Sequence, residues 1–572
     1  MLLLDADMEL RVDGPLPFPL HAPAYSLLQR QWGLNYYNTR LVARGAPARY
    51  YGVTHEYLSV EGDTRLPNDC WWFQDYATGS NRGDKFSRDI KLLRADLALH
   101  PENPRSWFYL AQSYRDNGEF QKAIDAYTRR IEIGGWDEEI WYSKLAMART
   151  YRAMGKEPEF ILNSLAAYNT RPKRAEPLHD LAFHHRLKGD NVLAYMFAEA
   201  GARIPYPDDQ LFIEKDVYES GLLEEKAIAG FYQDSTRAAG FAACDKLSLM
   251  KEASHDRREL ARTNLAHYLQ PLKTFAPSWK TTRVPFTAPD DKYVCSNPSI
   301  AVHQGQLELI VRTVNYVIRE DGSYDMQGDS AIRTKNFLLS LTPELTASGP
   351  GLELVNPVDW PAPKSTQVMG FEDMRLISWR GDLWTSSTVL EQNADCWREI
   401  WLTNIDTDTG VLAYARHLKT PAEIVGRVNE KNWMPFVDCG ELRFLYRPGL
   451  VIDANSRPVA ASQCKLDVST FCGSGQLVFF EGGWVGVIHE SRPDPYTGKR
   501  YYQHRFIWLS NHEFVLQKIS PPFCFFERQI EFCCGFARRP FVNEFILSFG
   551  VKDREAWLGT ISAEDLRCVL WK

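Results

Sequence analysis

No stretch of this 572-residue chain stays apolar for the roughly 20 residues that a membrane-crossing helix needs, so no helical span is expected. The opening MLLLDAD is too short and too acidic to be a secretory leader. A basic excess is missing as well. Lys and Arg number 66 against 73 Asp and Glu, the net charge is −7, and no segment clusters cations, which argues against a nucleic-acid surface. Cysteine is sparse: eleven residues, an odd number, with no CxxC spacing. That points to reduced thiols, no structural zinc and a cytoplasmic compartment, with Cys533-Cys534 read as strand packing. What is abundant is aromatic. With 13% aromatics and 17 Trp, the chain is suited to filling β-cores and to stacking on sugar rings. Its length implies several domains.

The character of the sequence changes twice, which predicts a multidomain protein. Residues 1–95 mix strands and loops, as a partial α/β segment. Residues 96–272 carry apolar residues at helical i, i+3, i+4 spacing. Residues 273–289 are Pro-rich and read as a linker, and 290–572 alternate as Gly-punctuated strands. Within the helical part, Trp107, Leu110, Ala111, Tyr114, Gly118, Ala123 and Tyr127 match the tetratricopeptide pattern. Looser copies follow at Trp141, Ala146, Gly155 and Tyr168, and at Leu181, Ala182, Gly189, Ala194 and Phe197. Such a solenoid either joins two domains or offers a groove to a protein partner.

Five C-terminal segments share one layout of polar start, strand, turn and second strand: NPSIAVHQGQLELIVRTV, GFEDMRLISWRGDLWTSSTV, EKNWMPFVDCGELRFLYRP, GSGQLVFFEGGWVGVIHE and CCGFARRPFVNEFILSFGV. All but the last turn, Phe541-Val542-Asn543, contain Gly. Repeated four-stranded units predict an all-β five-bladed propeller. In that architecture the residues opening each unit converge on one face: Asn297, Glu372 with Asp373, Lys431 with Asn432, Ser474 and Gly535. Arg312, Tyr446, Arg447, His489 and Asp553 return to it from the second strands. Carboxylates beside Lys, Arg and His suit a sugar that bears or meets an anion. Each also has a plainer reading: Glu372-Asp373 as a clasp on Arg375, Lys431-Asn432 as a solvated strand start, His489 as a structural histidine.

The motifs GFEDMRL, EKNWMPF, FLYRPG, SGSGQLV, GWVGVIHE and FILSFGVKD resemble the successive blade motifs of glycoside hydrolase family 130, the β-mannoside phosphorylases, with related mannosyltransferases. The resemblance covers roughly residues 290–560. It implies Asp373 as general acid of an inverting reaction. It also implies a substrate or phosphate set built from Arg312, Glu372, Arg375, Lys431, Asn432, Tyr446, Arg447, His489 and Asp553, with phosphate as co-substrate and no other cofactor. Met374 replaces the family's usual Pro, and Tyr446 stands where a phosphate-binding His is common, so phosphorolysis, hydrolysis, transfer and sugar binding all stay open. An inverting hydrolase needs a second carboxylate to activate water. Strand alternation puts Glu372 on the face opposite Asp373, which leaves Asp553 or Glu490.

LLLDADMEL, GVTHEYL and DKFSRDIKLL resemble the second half of a family 2 glycosyltransferase, of GT-A-like fold, followed by tetratricopeptide repeats. The apolar run reads as a buried strand delivering Asp5 and Asp7 to a loop. The resemblance implies Mn²⁺ or Mg²⁺ on Asp5, Asp7 and His55, with Glu56 as base or acceptor contact. Only four residues precede Asp5. The expectation is therefore a true start further upstream and no transferase activity from this chain alone. The resulting reading is a glycan-active enzyme whose substrate is a glycan or sugar phosphate; the alternative is a non-catalytic repeat scaffold whose propeller binds glycan or protein.

Overall fold

The computed structural model describes residues 1–571 apart from 17, 32–33, 68–69, 77, 79–84, 320–321, 329, 358, 425 and 427–428. The chain forms two compact units, Met1–Leu247 and Ser248–Lys572. All eleven cysteines are free thiols. Among the described residues no helix is long and apolar enough to cross a membrane.

In the first unit a six-stranded sheet has the order Met8–Val12, Trp71–Asp75, Ala24–Gln31, Leu34–Val42, Ile213–Glu214, with Asp63–Arg65 also on Ala24–Gln31. The segment Met1–Leu4 is not a strand. It makes a single bridge, Leu2 to Leu41, and the strand begins at Met8, after both aspartates. The order expected from the sequence is thus reversed. Nor do residues 1–95 form a body of their own, because Ile213–Glu214 pairs with Leu34–Asn35 after seven helices have intervened. Of the segment DKFSRDIKLL, Asp84 lies outside the described residues and the rest falls within the helix Lys85–Leu99.

The helices pair as hairpins: Pro104–Asp116 with Phe120–Ile133, Asp137–Ala153 with Glu157–Thr170, and Glu176–Leu187 with Asn191–Ala202. Their starts and stops follow local chemistry. Asn103 caps Pro104–Asp116 by accepting from Ser106 N, and Pro104 occupies the first turn, where its missing N–H costs nothing. Gly118, Gly155 and Gly189 make the turns at φ 78°, 71° and 80°, a region that Gly enters without a Cβ penalty. Leu110, Ala111, Tyr114, Ala123 and Tyr127 pack into one core.

Among the described residues the second unit holds five sheets of four to seven strands, mainly antiparallel, and a two-stranded sheet of Tyr316–Ile318 with Tyr324–Met326. The first runs Val294–His303, Gln306–Val314, Ile332–Leu341, Leu352–Leu354. The second runs Glu372–Trp379, Asp382–Val389, Glu399–Ile405, Leu412–Leu418. The third runs Met434–Asp438, Glu441–Arg447, Leu450–Asp453, Pro458–Ala461. The fourth is built on Gly483–Pro493 and Arg500–Ser510, with Cys472–Gly473 and Val478–Phe480 on its inner side. The fifth runs Glu531–Arg538, Glu544–Val551, Glu555–Ser562, Lys280–Arg283. Five apolar clusters join neighbouring sheets in sequence: Ile310 with Met374, Ile377 with Trp433, Met434 with Ile488, Val485 with Phe536, and Leu309 back to Ile546.

Residues 273–289 are not a linker. Lys280–Arg283 is the outer strand of the fifth sheet, paired with Glu555–Ser562. Trp279 is buried against Phe525 and Phe549, and Val284 enters the cluster between the fifth and first sheets. Chain preceding the first sheet thus supplies the outer strand of the fifth. Residues 255–271 likewise belong here: Gln270–Pro271 pairs with Phe523–Cys524, and Ala266 and Leu269 pack on Tyr501.

Candidate active site

In the first, second and fifth sheets the leading strand opens with a break in its ladder. The register shifts between Ser296 and Ser299, between Glu372 and Arg375, and between Cys533 and Gly535. Asn297 and Asp373 sit at two of these breaks in the left-handed region at φ 33° and 49°, and Asn432, two residues before strand Met434–Asp438, shares that conformation at φ 64°. Bulges of this kind re-aim a side chain out of strand alternation. Small neighbours make the room: a Cβ on Gly550 would stand 2.1 Å from Asn297 Oδ1, and one on Gly535 2.3 Å from both Ile300 N and Ser548 Oγ.

The consequence is one connected polar cluster. Arg312, buried on the first sheet, donates through Nη1 to Asp373 Oδ1 at 2.8 Å and through Nη2 to Glu372 Oε1 at 2.8 Å. Glu372 therefore does not point away from Asp373; the left-handed Asp373 breaks the alternation that the sequence reading assumed. Asn297 Nδ2 donates to the same Asp373 oxygen at 2.9 Å. Arg375 ties three sheets, donating to Asn432 Oδ1 at 2.9 Å, Ser474 O at 2.5 Å and the Asp373 carbonyl at 3.1 Å. Ser474 Oγ meets His489 Nδ1 at 3.0 Å. The two arginines are almost inaccessible, while the Asp373 side chain keeps 21% of its surface and Glu372 14%. A ligand would meet the carboxylates.

The electrostatics divide the acids. Burial alone would raise the Asp373 carboxyl, but Arg312, Arg375 and the Asn297 hydrogen bond outweigh it and hold the carboxyl below its ordinary range. Asp553, at φ 51°, accepts from the Tyr316 hydroxyl at 3.2 Å, and burial pushes its carboxyl up despite Arg312. The requirement that Asp373 rest protonated is thus not met by its surroundings; Asp553 is the carboxyl biased toward holding a proton. Burial, helped by His504, Arg375 and Lys431, pulls the His489 imidazole well down, so it stays neutral.

Other expected residues are placed differently. Tyr446 donates to Glu430 Oε1 at 3.2 Å, and burial together with Glu430 pushes its hydroxyl up to about 12. Lys431 and Arg447 are exposed and form no ion pair among the described residues. Glu490 is locked by Gln503 at 2.6 Å and Arg492 at 3.4 Å. Met374 is core, packed between the first two sheets. The sequence reading missed Tyr316, Arg398 (3.7 Å from Glu372) and Glu430. Glu430 stands beside the Lys431-Asn432 pair, and that adjacency was the only signal for it.

The N-terminal residues are not assembled. Asp5 is exposed and pairs with Arg40 at 3.0 Å; the Asp7 carbonyl accepts from Tyr76 N at 3.1 Å. His55 stacks on Tyr109 with ring centroids 4.2 Å apart, and that packing, with Lys85 nearby, lowers its imidazole to about 4. Glu56 is exposed on the same loop. Among the described residues no group of three or more His, Cys, Asp or Glu is arranged to hold a metal ion. Asp5, Asp7 and His55 as placed do not fit Mn²⁺ or Mg²⁺.

A tetratricopeptide-repeat family model matches residues 104–150. No curated protein matches the chain. Among solved structures the chain is similar to a β-1,2-mannobiose phosphorylase from Listeria innocua, at 10% identity over 50% of this chain and 96% of that one, TM-score 0.33. It is also similar to a glycosyl hydrolase from Bacteroides ovatus, at 10% identity over 52% of this chain and 91% of that one, TM-score 0.35. YrrB, a tetratricopeptide protein with a peptide-binding site, matches at 11% identity over 31% of this chain and 84% of that one, TM-score 0.24.

Proposed function

We propose that the second unit is a closed five-bladed propeller that cleaves or transfers a glycosidic bond, with β-mannosides as the substrate class implied by its motifs. The observation that carries this is one buried guanidinium, Arg312, bonding two partly accessible carboxylates, Asp373 and Glu372, at 2.8 Å; in support, Arg312 lowers the Asp373 carboxyl while burial raises that of Asp553, held on the Tyr316 hydroxyl. Environments that push two carboxyls apart are how a site separates its acid from its base at one pH. In this reading Asp553 protonates the leaving oxygen. Asp373 orients the sugar and takes a proton from the attacking group. Lys431 and Arg447, the cations without an ion pair, receive an anionic nucleophile such as phosphate. Protein binding by the helical repeats of the first unit is part of the same proposal and rests on the repeat match at 104–150.

The test is turnover of β-mannosides by the whole chain with and without phosphate. Asp373→Asn and Asp553→Asn should each lower kcat by a factor on the order of 10² to 10⁴, with the Asp553→Asn variant losing the alkaline limb of the pH profile. Saturable glycan binding with no turnover in the wild type would favour the scaffold reading instead.

A further inference from the structure

The strands that carry Asn297 and Asp373, and the strand that Asn432 precedes, run on to a cavity. It has a volume of about 820 Å³ and is lined four to five residues further along, at Ala301, Ile377 and Val437, with Phe479, Trp484 and Phe536. At about 3.3 Å per residue that places these three residues roughly 13–17 Å from the residues that open the strands. Gln476 lines it, with its amide held by the backbone of three neighbouring strands. Nε2 donates to Ile300 O at 2.9 Å and to Leu376 O, and Oε1 accepts from Phe536 N at 2.9 Å. Both amide hydrogens are thus spent inside the protein, and the lining beside Gln476, at Leu376, Leu477 and Phe536, is apolar.

The stretch Arg538–Asn543 of the lining is different. Among the described residues no Asp or Glu lines the cavity, and two arginines do. Arg539 is used, bonded to Glu544 at 2.6 Å and to the Pro343 carbonyl. Arg538 is exposed and has no ion pair among the described residues. Beside them stands the hairpin tip Phe541-Val542-Asn543. Phe541 is 99% exposed and sits at φ 64°, so it gives up both apolar burial and a relaxed backbone. The volume matches a ligand of small-molecule size rather than a macromolecular surface.

We propose that this end of the second unit binds a small amphipathic anion, with its aryl or acyl body inside the cavity, its carboxylate or sulfonate on Arg538, and Phe541 covering it. The site is independent of the glycosidic chemistry proposed above. The probe is 8-anilinonaphthalene-1-sulfonate titrated into the folded full chain by fluorescence. One saturable site is expected, about tenfold weaker in Arg538→Ala, restored in Arg538→Lys, and about threefold weaker in Phe541→Ala. The uncharged N-phenyl-1-naphthylamine should bind at least about tenfold more weakly than the sulfonate. Both altered side chains are exposed, so folding is preserved and each outcome is decisive. Unsaturable binding, or affinity unchanged in Arg538→Ala, overturns the proposal.

Discussion

Two acidic pairs stand out in this chain, Asp5 with Asp7 and Glu372 with Asp373, and folding treats them in opposite ways. The first lies on a segment that makes one bridge to its sheet, and its Asp5 is 59% exposed with a single arginine beside it. The second enters a bulge, where a buried arginine from another sheet bonds both carboxylates at 2.8 Å. A carboxylate pair in sequence becomes a charged site when chain from elsewhere supplies a desolvated counter-charge and the backbone re-aims both side chains at it. The sequence motif specifies the acids and leaves that counter-charge unsaid.

The strongest way to break this contrast is to remove the counter-charge. Arg312→Ala leaves Glu372 and Asp373 without their buried partner and should lower the stability of the second unit by about 3–5 kcal/mol, read by denaturant unfolding followed through its Trp fluorescence. Backbone closeness is the next target. Gly535→Ala places a Cβ 2.3 Å from Ile300 N and Ser548 Oγ, neither able to retreat far, and should cost about 1–3 kcal/mol in the same assay. The smallest effect belongs to the first pair. Asp5→Ala should destabilise the first unit by no more than about 0.5 kcal/mol, read by thermal unfolding, since the Asp5 carboxylate paired with Arg40 is 59% exposed and such a pair is worth little. A loss near that of Arg312→Ala would erase the contrast.

The helical repeat was legible because its signals are local: small residues where helices cross and Gly at each turn. The unit-opening residues of the strands were legible too, since Asn297, Asp373, Asn432 and Ser474 recur at matching positions and do meet through Arg312 and Arg375. What escaped was non-local. Strand Lys280–Arg283 reads as linker because only its pairing with Glu555–Ser562, some 275 residues later, makes it a strand. The orientation of Glu372 escaped because period-2 alternation holds only in an unbroken ladder. Tyr316 escaped because its role depends on Asp553, which lies far along the chain. At the N-terminus a motif-like spelling outweighed the question of what would surround it.

The acid and base roles proposed at this site need opposite proton preferences at Asp373 and Asp553, and these carry opposite pH signatures. Asp373, depressed in the fold, contributes stability above its ordinary range and loses it as pH falls through the folded value. Asp553, raised in the fold, contributes while protonated and loses that contribution as pH rises through its folded value. The most direct measurement is the carboxyl ¹³C shift of labelled aspartates in the folded protein, followed from acid to neutral pH and assigned with Asp373→Asn and Asp553→Asn. The account predicts that the resonance lost in Asp373→Asn titrates below the ordinary Asp range of about 3.9 and the one lost in Asp553→Asn above it. The reverse order, or two carboxyls titrating together near the ordinary value, would contradict it.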